Sequence, residues 1–331
     1  MSKERTVAVI GSNSFSGSVT VNELLRSGFN VVGINRSPES ENCYRAYRNV
    51  SSSNFHFYQL GSNFDSRKLV EILERYNVKE VINFASQSMV AESWQSPWDW
   101  YETNIVWLSK LTTALIGYDK LKKFIHFSTP EVYGTTANWV QENRNFMPST
   151  PYAISRLAGD LHLECEMERA SFPVVFTRAA NVYGPFQARY RLIPKALICA
   201  AQRLPFQIDG AGDSRRSFIY MEDVAKALLS ILDEGRIGDC YHISTETTHT
   251  IHEIVEICYS QFGLNANDFI IHTSERAGKD SAYLLASKKI REELKWREEV
   301  KLEEGVERTK KWVLTDLADI LSQSEKYLHR A

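Results

Sequence analysis

Tyr152 and Arg156 stand four residues apart in Tyr152-Ala153-Ile154-Ser155-Arg156, a spacing that puts both side chains on one face of a helix. A cation beside a phenol favours the phenolate, so the pair suits a base that takes a proton from a substrate hydroxyl while hydride leaves the carbon. Upstream, Ser128-Thr129-Pro130-Glu131-Val132-Tyr133-Gly134 follows an apolar run and reads as the end of a strand, where Thr129 can hold the same hydroxyl. Taken singly, such a tyrosine is a packed aromatic and such an arginine a solvated charge. The strand-end hydroxyls and the pair together favour chemistry.

A second group of residues suits a dinucleotide. Gly11-Ser12-Asn13-Ser14-Phe15-Ser16-Gly17 lies between a strand and a helix, where a cofactor turn must bring backbone close to a pyrophosphate. Gly11, Ser14, Phe15 and Gly17 are the candidate contacts. Ser14 stands where a GxxGxxG turn has its middle glycine, so it either restricts the approach or supplies a hydroxyl. After the next strand, Asn35-Arg36-Ser37 replaces the carboxylate that would bind both ribose hydroxyls and repel a 2′-phosphate. Arg36 therefore favours NADP over NAD as the cofactor.

The elements that must position these groups follow from periodicity. Short apolar strands at 6–10, 31–34, 55–60, 81–84, 124–128 and 174–178 alternate with helical segments, among them 19–27 and 66–76. This rhythm calls for a parallel sheet covered on both faces. The expected class is α/β: a Rossmann-type doubly wound parallel sheet with a smaller C-terminal substrate-binding lobe. Pro185, Pro194, Pro205 and the glycines around 210 loosen the pattern. Residues 1–184 are thus expected to bind dinucleotide and carry the catalytic groups. Residues 185–331 form mainly the substrate lobe, with part of 216–245 returning to the first domain.

The bulk numbers exclude other classes. A chain of 331 residues, 43% hydrophobic and 24% charged, fits one two-lobed globular unit. Its net charge of -2, with no basic stripe carrying interleaved aromatics, argues against nucleic acid and anionic membrane as partners. The five cysteines show no metal-ligand spacing, so no metal is expected and the thiols read as reduced. A polar MSKER start, without a signal-like apolar stretch or a membrane-length run, places the protein in the cytoplasm.

Beyond the Gly11 turn, seven segments occur in a familiar order: Ala85-Ser86-Gln87-Ser88, Tyr101-Glu102-Thr103-Asn104, STPEVYG, Tyr152 to Arg156, Asn181-Val182-Tyr183-Gly184-Pro185, Gly210 to Asp223, and Arg276-Ala277-Gly278-Lys279-Asp280. In these the chain resembles, nearly end to end, the nucleotide-sugar 4,6-dehydratases and sugar epimerases among the extended short-chain dehydrogenase/reductases. The resemblance implies that Ala85, Tyr152 and Arg156 meet the cofactor along with Asn35, Arg36 and Ser37. It implies that Ser86, Gln87, Asn104, Asn181, Arg216 and Arg276 bind a nucleotide-diphosphate sugar, that Thr129, Glu131 and Tyr152 face the hexose, and that Asp223 braces the returning helix. Guanidinium forks suit phosphate oxygens, which agrees for the arginines. A homodimer built on the helices near 100–118 and 152–169 is also implied.

Two departures stand out. The family's YxxxK has become Tyr152-x-x-x-Arg156, exchanging a compact ammonium for a planar fork. Pro130 occupies the place where an Asp or Ser commonly assists loss of the C6 hydroxyl, and proline has no proton to give. Glu131, which epimerases usually lack, keeps dehydration ahead. The resemblance therefore implies a 4,6-dehydratase that forms a 4-keto-6-deoxy sugar nucleotide, ahead of an epimerase or a 4-oxidase. With Ser14, Pro130 and Arg156 all off the family pattern, a catalytically inactive dinucleotide-binding regulator is the alternative from a different class.

Overall fold

The computed structural model describes residues 5–50, 52–61, 64–136, 138–274 and 282–327. Seven strands build the main sheet: β1 (Thr6–Ile10), β2 (Asn30–Asn35), β3 (Phe55–Gln59), β4 (Glu80–Asn83), β5 (Lys123–Phe127), β6 (Val174–Ala179) and β7 (Cys240–Ile243). Their order is β7-β6-β5-β4-β1-β2-β3, with every pairing parallel. Because strand order reverses between β1 and β4, the crevice beyond their carboxyl ends is where this architecture receives ligands.

Alternation along the strands explains the layering. In β1, Val7 and Val9 join one core with Val31, Ile82, Leu24 and Leu228, whereas Ala8 and Ile10 face a second core with Leu69, Leu111, Phe124 and Leu163. Both faces are covered, so the strands carry apolar runs rather than a strict polar alternation, and His126, Arg178 and His242 are buried on them as well. Burying each such aliphatic side chain contributes about 1.5–3 kcal/mol.

Helices α1 (Phe15–Arg26), α2 (Ser66–Arg75), α3 (Pro97–Tyr101), α4 (Leu108–Ile116), α5 (Pro151–Ala170), α6 (Leu192–Ala201) and α7 (Met221–Glu234) flank the sheet and open the second lobe. The first helix starts four residues earlier than its apolar periodicity suggests. Ser14 caps it, its Oγ accepting from the Gly17 N–H at 3.0 Å, so the second half of the glycine turn is already helical. Thr150 caps α5 in the same way at Ala153, at 3.1 Å.

The second lobe has its own core, including Ile193, Leu197, Phe206, Ile254, Tyr259 and Trp312. Its strands include Arg215–Arg216, which pairs with His249–Thr250 on one side and Ala282–Leu285 on the other. From there the chain returns to the first core through α7, which packs on α1, and then adds β7 to the main sheet. Asp223, fully buried in α7, accepts the Val300 N–H at 3.0 Å through its carboxylate and the Trp296 indole N–H at 3.0 Å through its carbonyl. Among the described residues, no helix is long and apolar enough to cross a membrane.

Candidate active site

The glycine turn closes directly on the switch point. Gly11 has φ +81, and a Cβ there would stand 2.8 Å from the Ala85 backbone N; a Cβ on Gly17 would stand 2.2 Å from the Gly11 carbonyl oxygen. Both positions therefore require glycine, for left-handed backbone in the first case and close approach in both. Ser14 does not reach outward: its hydroxyl donates to the Gly11 carbonyl at 2.7 Å while it caps the helix. Phe15 packs against the first core and lies beside Gly184. Asn13 ties the turn to the loop after β2, donating to the Pro38 carbonyl at 2.6 Å. In that loop the Asn35 amide donates to the Ser37 hydroxyl at 2.9 Å, which leaves Arg36 between two residues bonded to each other.

The catalytic candidates converge. Thr129 caps a short helix over Pro130–Tyr133, its Oγ1 accepting from the Glu131 N–H at 3.3 Å. Pro130 is the first residue of that helix, a position whose N–H would have no helical partner, so proline fits there without losing a bond. Tyr152, in the first turn of α5, is hydrogen-bonded by the Thr129 side chain and lies within electrostatic range of Arg156 and Glu131. Burial pushes its pKa up and the Arg156 charge acts against this, so the cation opposes desolvation without overcoming it. Arg156 is itself buried. Its guanidinium donates to the Phe127 carbonyl at the end of β5, while its Nε has no hydrogen-bond partner among the described residues.

The loop after β4 holds the next candidates. Ser86 donates to the Phe84 carbonyl at 3.3 Å, and Ala85 faces Gly11. Asn104, to which the resemblance gives a substrate contact, is engaged within the protein. Its Oδ1 accepts from the Gln87 N–H at 2.8 Å, and its Nδ2 donates to the Gln87 carbonyl at 3.1 Å and to the Ser155 Oγ at 2.9 Å. With both amide hydrogens committed and 2% exposure, Asn104 joins the Gln87 loop to α5. It sits in a π-helical segment, Glu102–Trp107, one of the places where such bulges present a side chain off the regular register.

Asn181 and Arg216 meet through Tyr283. The Arg216 guanidinium lies 4.5 Å from the centre of the Tyr283 ring, and the Tyr283 hydroxyl donates to the Asn181 Oδ1 at 3.1 Å. Arg215, the adjacent basic residue, is exposed. Arg276 and the segment around it lie outside the described residues.

Three groupings were not anticipated from sequence. Tyr283 faces Glu131 and Tyr152 electrostatically, and its pKa is pushed up to about 12, first by burial and then by Glu131. Arg191 opens α6, donates to the Ser88 Oγ at 3.0 Å across the cleft, and is a second cation near Tyr152. Behind the site, Asp160 accepts from the Ser128 Oγ at 2.7 Å and from Arg178 at 2.9 Å, and it faces His126 at 3.4 Å. Burial, helped by Arg156, drives the His126 pKa down to about 3, so this imidazole stays neutral in neutral solution. The only advance sign was a carboxylate two helical turns after Tyr152.

Fold and site together define a short-chain dehydrogenase/reductase scaffold of the nucleotide-sugar dehydratase and epimerase type. The chain belongs to the GDP-mannose 4,6 dehydratase family, whose model matches residues 9–309. It is 28% identical over 317 residues to an Arabidopsis thaliana trifunctional UDP-glucose 4,6-dehydratase/UDP-4-keto-6-deoxy-D-glucose 3,5-epimerase/UDP-4-keto-L-rhamnose-reductase; the match covers 94% of this chain and 47% of the plant protein. The chain thus spans about half the length of that relative. A dTDP-glucose 4,6-dehydratase from Streptomyces venezuelae, solved with NAD bound, superposes with a TM-score of 0.87 at 25% identity, covering 95% of this chain and 98% of the other. A Thermotoga maritima UDP-glucose 4-epimerase, solved with UDP-glucose, gives 0.85 at 25% identity and covers 94% and 99%.

Proposed function

We propose that this chain is a nucleotide-sugar 4,6-dehydratase that holds a nicotinamide dinucleotide, NADP ahead of NAD, and converts a nucleotide-diphosphate hexose to its 4-keto-6-deoxy form. The observation that carries the reading is Glu131, held by Thr129 and within electrostatic range of Tyr152. A dinucleotide fits the residues present. The glycine cradle of Gly11 and Gly17 leaves no room for a Cβ, and the buried Ser12 Oγ and Arg156 Nε have no hydrogen-bond partner among the described residues. When bound, the nicotinamide supplies a hydride acceptor at sugar C4 and a hydride donor at C6.

Each residue has a definite task. Tyr152, hydrogen-bonded by Thr129 and faced by Arg156, takes the proton of the C4 hydroxyl. A ketone at C4 acidifies the C5 proton, which Glu131 removes as the C6 hydroxyl leaves as water. Asn181 and Arg216 hold the diphosphate, Arg216 through its guanidinium fork. Arg36 accepts the 2′-phosphate that distinguishes NADP.

Pro130 supports a second reading, in which C4 is oxidised without loss of water and the enzyme is an epimerase or an oxidase. Glu131→Gln separates the two, since the amide keeps the shape of the side chain but is no base. On the dehydratase reading the variant still reduces its nicotinamide with substrate and releases no dehydrated sugar. Product formation at the wild-type level would remove Glu131 from the mechanism.

A further inference from the structure

Dehydration needs a proton at the departing C6 oxygen, and Pro130 cannot provide it. We propose that Tyr283 is the acid that protonates the leaving C6 hydroxyl; the assignment rests on the dehydratase reading above. The strand that carries it is tied to the catalytic segment on both sides of the tyrosine. The Thr136 N–H donates to the Ala282 carbonyl at 2.9 Å, and the Leu284 N–H donates to the Thr136 Oγ1 at 2.9 Å. Its other edge pairs with Arg215–Arg216, with Arg216 opposite Tyr283.

This placement brings a second phenol toward Glu131, the strand of Tyr283 packing on the Pro130–Tyr133 helix. Tyr152 and Tyr283 both lie within electrostatic range of the carboxylate and of each other. The chemistry asks for the same arrangement, because C5 is bonded to both C4 and C6. A base acting on C5 must therefore have one proton acceptor on its C4 side and one proton donor on its C6 side. Tyr152, with Thr129 and Arg156, serves C4, and Tyr283 is the second phenol. Its hydroxyl is a hydrogen-bond donor, to the Asn181 Oδ1 at 3.1 Å. Desolvation keeps that proton in place in neutral solution.

The elimination balances without a further reactant. Glu131 takes the C5 proton, the electron pair becomes the C5–C6 double bond conjugated with the C4 ketone, and the C6–O bond breaks. Oxygen leaves as water with the Tyr283 proton. The phenolate that remains lies against Arg216, which is hydrogen-bonded to Tyr283 and stacked on its ring, and it regains a proton from solvent.

Tyr283→Phe tests this directly, since it keeps the ring beneath Arg216 and deletes only the hydroxyl. The variant is expected to lose at most about 10-fold in nucleoside-diphosphate affinity by calorimetry, the cost of the hydrogen bonds its hydroxyl makes to Asn181 and Arg216, and to reduce its nicotinamide with saturating substrate. Its output of dehydrated sugar should fall at least about 100-fold, the lower range for a lost general acid. Pro130→Asp introduced into this variant should restore much of the water loss by supplying an acid at the neighbouring position. Dehydration by Tyr283→Phe at the wild-type rate overturns the proposal. Diphosphate binding weakened beyond that, with no rescue by Pro130→Asp, also overturns it, because Tyr283 would then be a binding residue. Wild-type protein that releases no water from any nucleotide sugar overturns the dehydratase reading itself, and the proposal with it.

Discussion

Asn104→Ala decides whether this side chain holds the Gln87 loop or meets a sugar. Three hydrogen bonds are lost: from the Gln87 N–H, to the Gln87 carbonyl and to the Ser155 Oγ. Ser155 keeps its donation to the Tyr152 carbonyl at 2.7 Å, so its hydroxyl is not orphaned. The two Gln87 backbone groups are left buried without the partner they had, at about 1–3 kcal/mol each, or about 2–6 kcal/mol together. Set against a total stability of about 5–15 kcal/mol, such a loss leaves a folded protein with a clearly lower urea midpoint and weaker dinucleotide retention. Asn104→Asp keeps the acceptor for the Gln87 N–H and should fall between the two. If Asn104→Ala unfolds at the wild-type midpoint and shows only a raised KM for nucleotide sugar, the clamp is wrong and Asn104 faces the substrate.

Tyr152→Phe should cut hydride transfer at least about 100-fold while leaving cofactor binding near wild type, read by single-turnover absorbance. Because burial raises the Tyr152 pKa, the phenolate fraction grows with pH, so wild-type sugar oxidation should rise into the alkaline range and this rise should vanish in the variant. Arg36→Ala should weaken NADP more than NAD in cofactor-stripped protein; equal losses would remove the 2′-phosphate contact. Trp98, Val106, Ile154 and Leu161 are 64%, 38%, 45% and 38% exposed on the segments expected to form a dimer, so Trp98→Glu should convert dimer to monomer by sedimentation. A wild-type monomer would contradict that expectation.

The parallel sheet could be read from the chain because strands buried on both faces leave uninterrupted apolar runs, as in Val7–Ile10 and Val174–Phe176. The start of α1 was misplaced because Phe15-Ser16-Gly17-Ser18 has no apolar period; the capping serine was the usable signal. Tyr152 and Arg156 were recognisable from helical spacing and Thr129 from its strand end, whereas the role of Glu131 came from the resemblance. Asn104 was visible as a residue, but its bonds to Gln87 and Ser155 were not, since they form only when three segments meet. Tyr283 and the Asp160, Arg178 and His126 group escaped notice for another reason. Each acquires meaning only when distant segments meet, and a buried charge looks in sequence like a surface one.

The central claim is that this site removes water across C5 and C6 through Glu131. It is tested most directly by supplying UDP-, dTDP-, GDP- and CDP-hexoses to the wild-type protein in heavy water and weighing the sugar nucleotide released. Elimination with return of a solvent-exchanged proton yields, from one member of the panel, a product lighter by one water and carrying deuterium on carbon at C5. A product that retains its C6 oxygen and carries no deuterium at C5, whether inverted at C4 or oxidised there, would contradict the account.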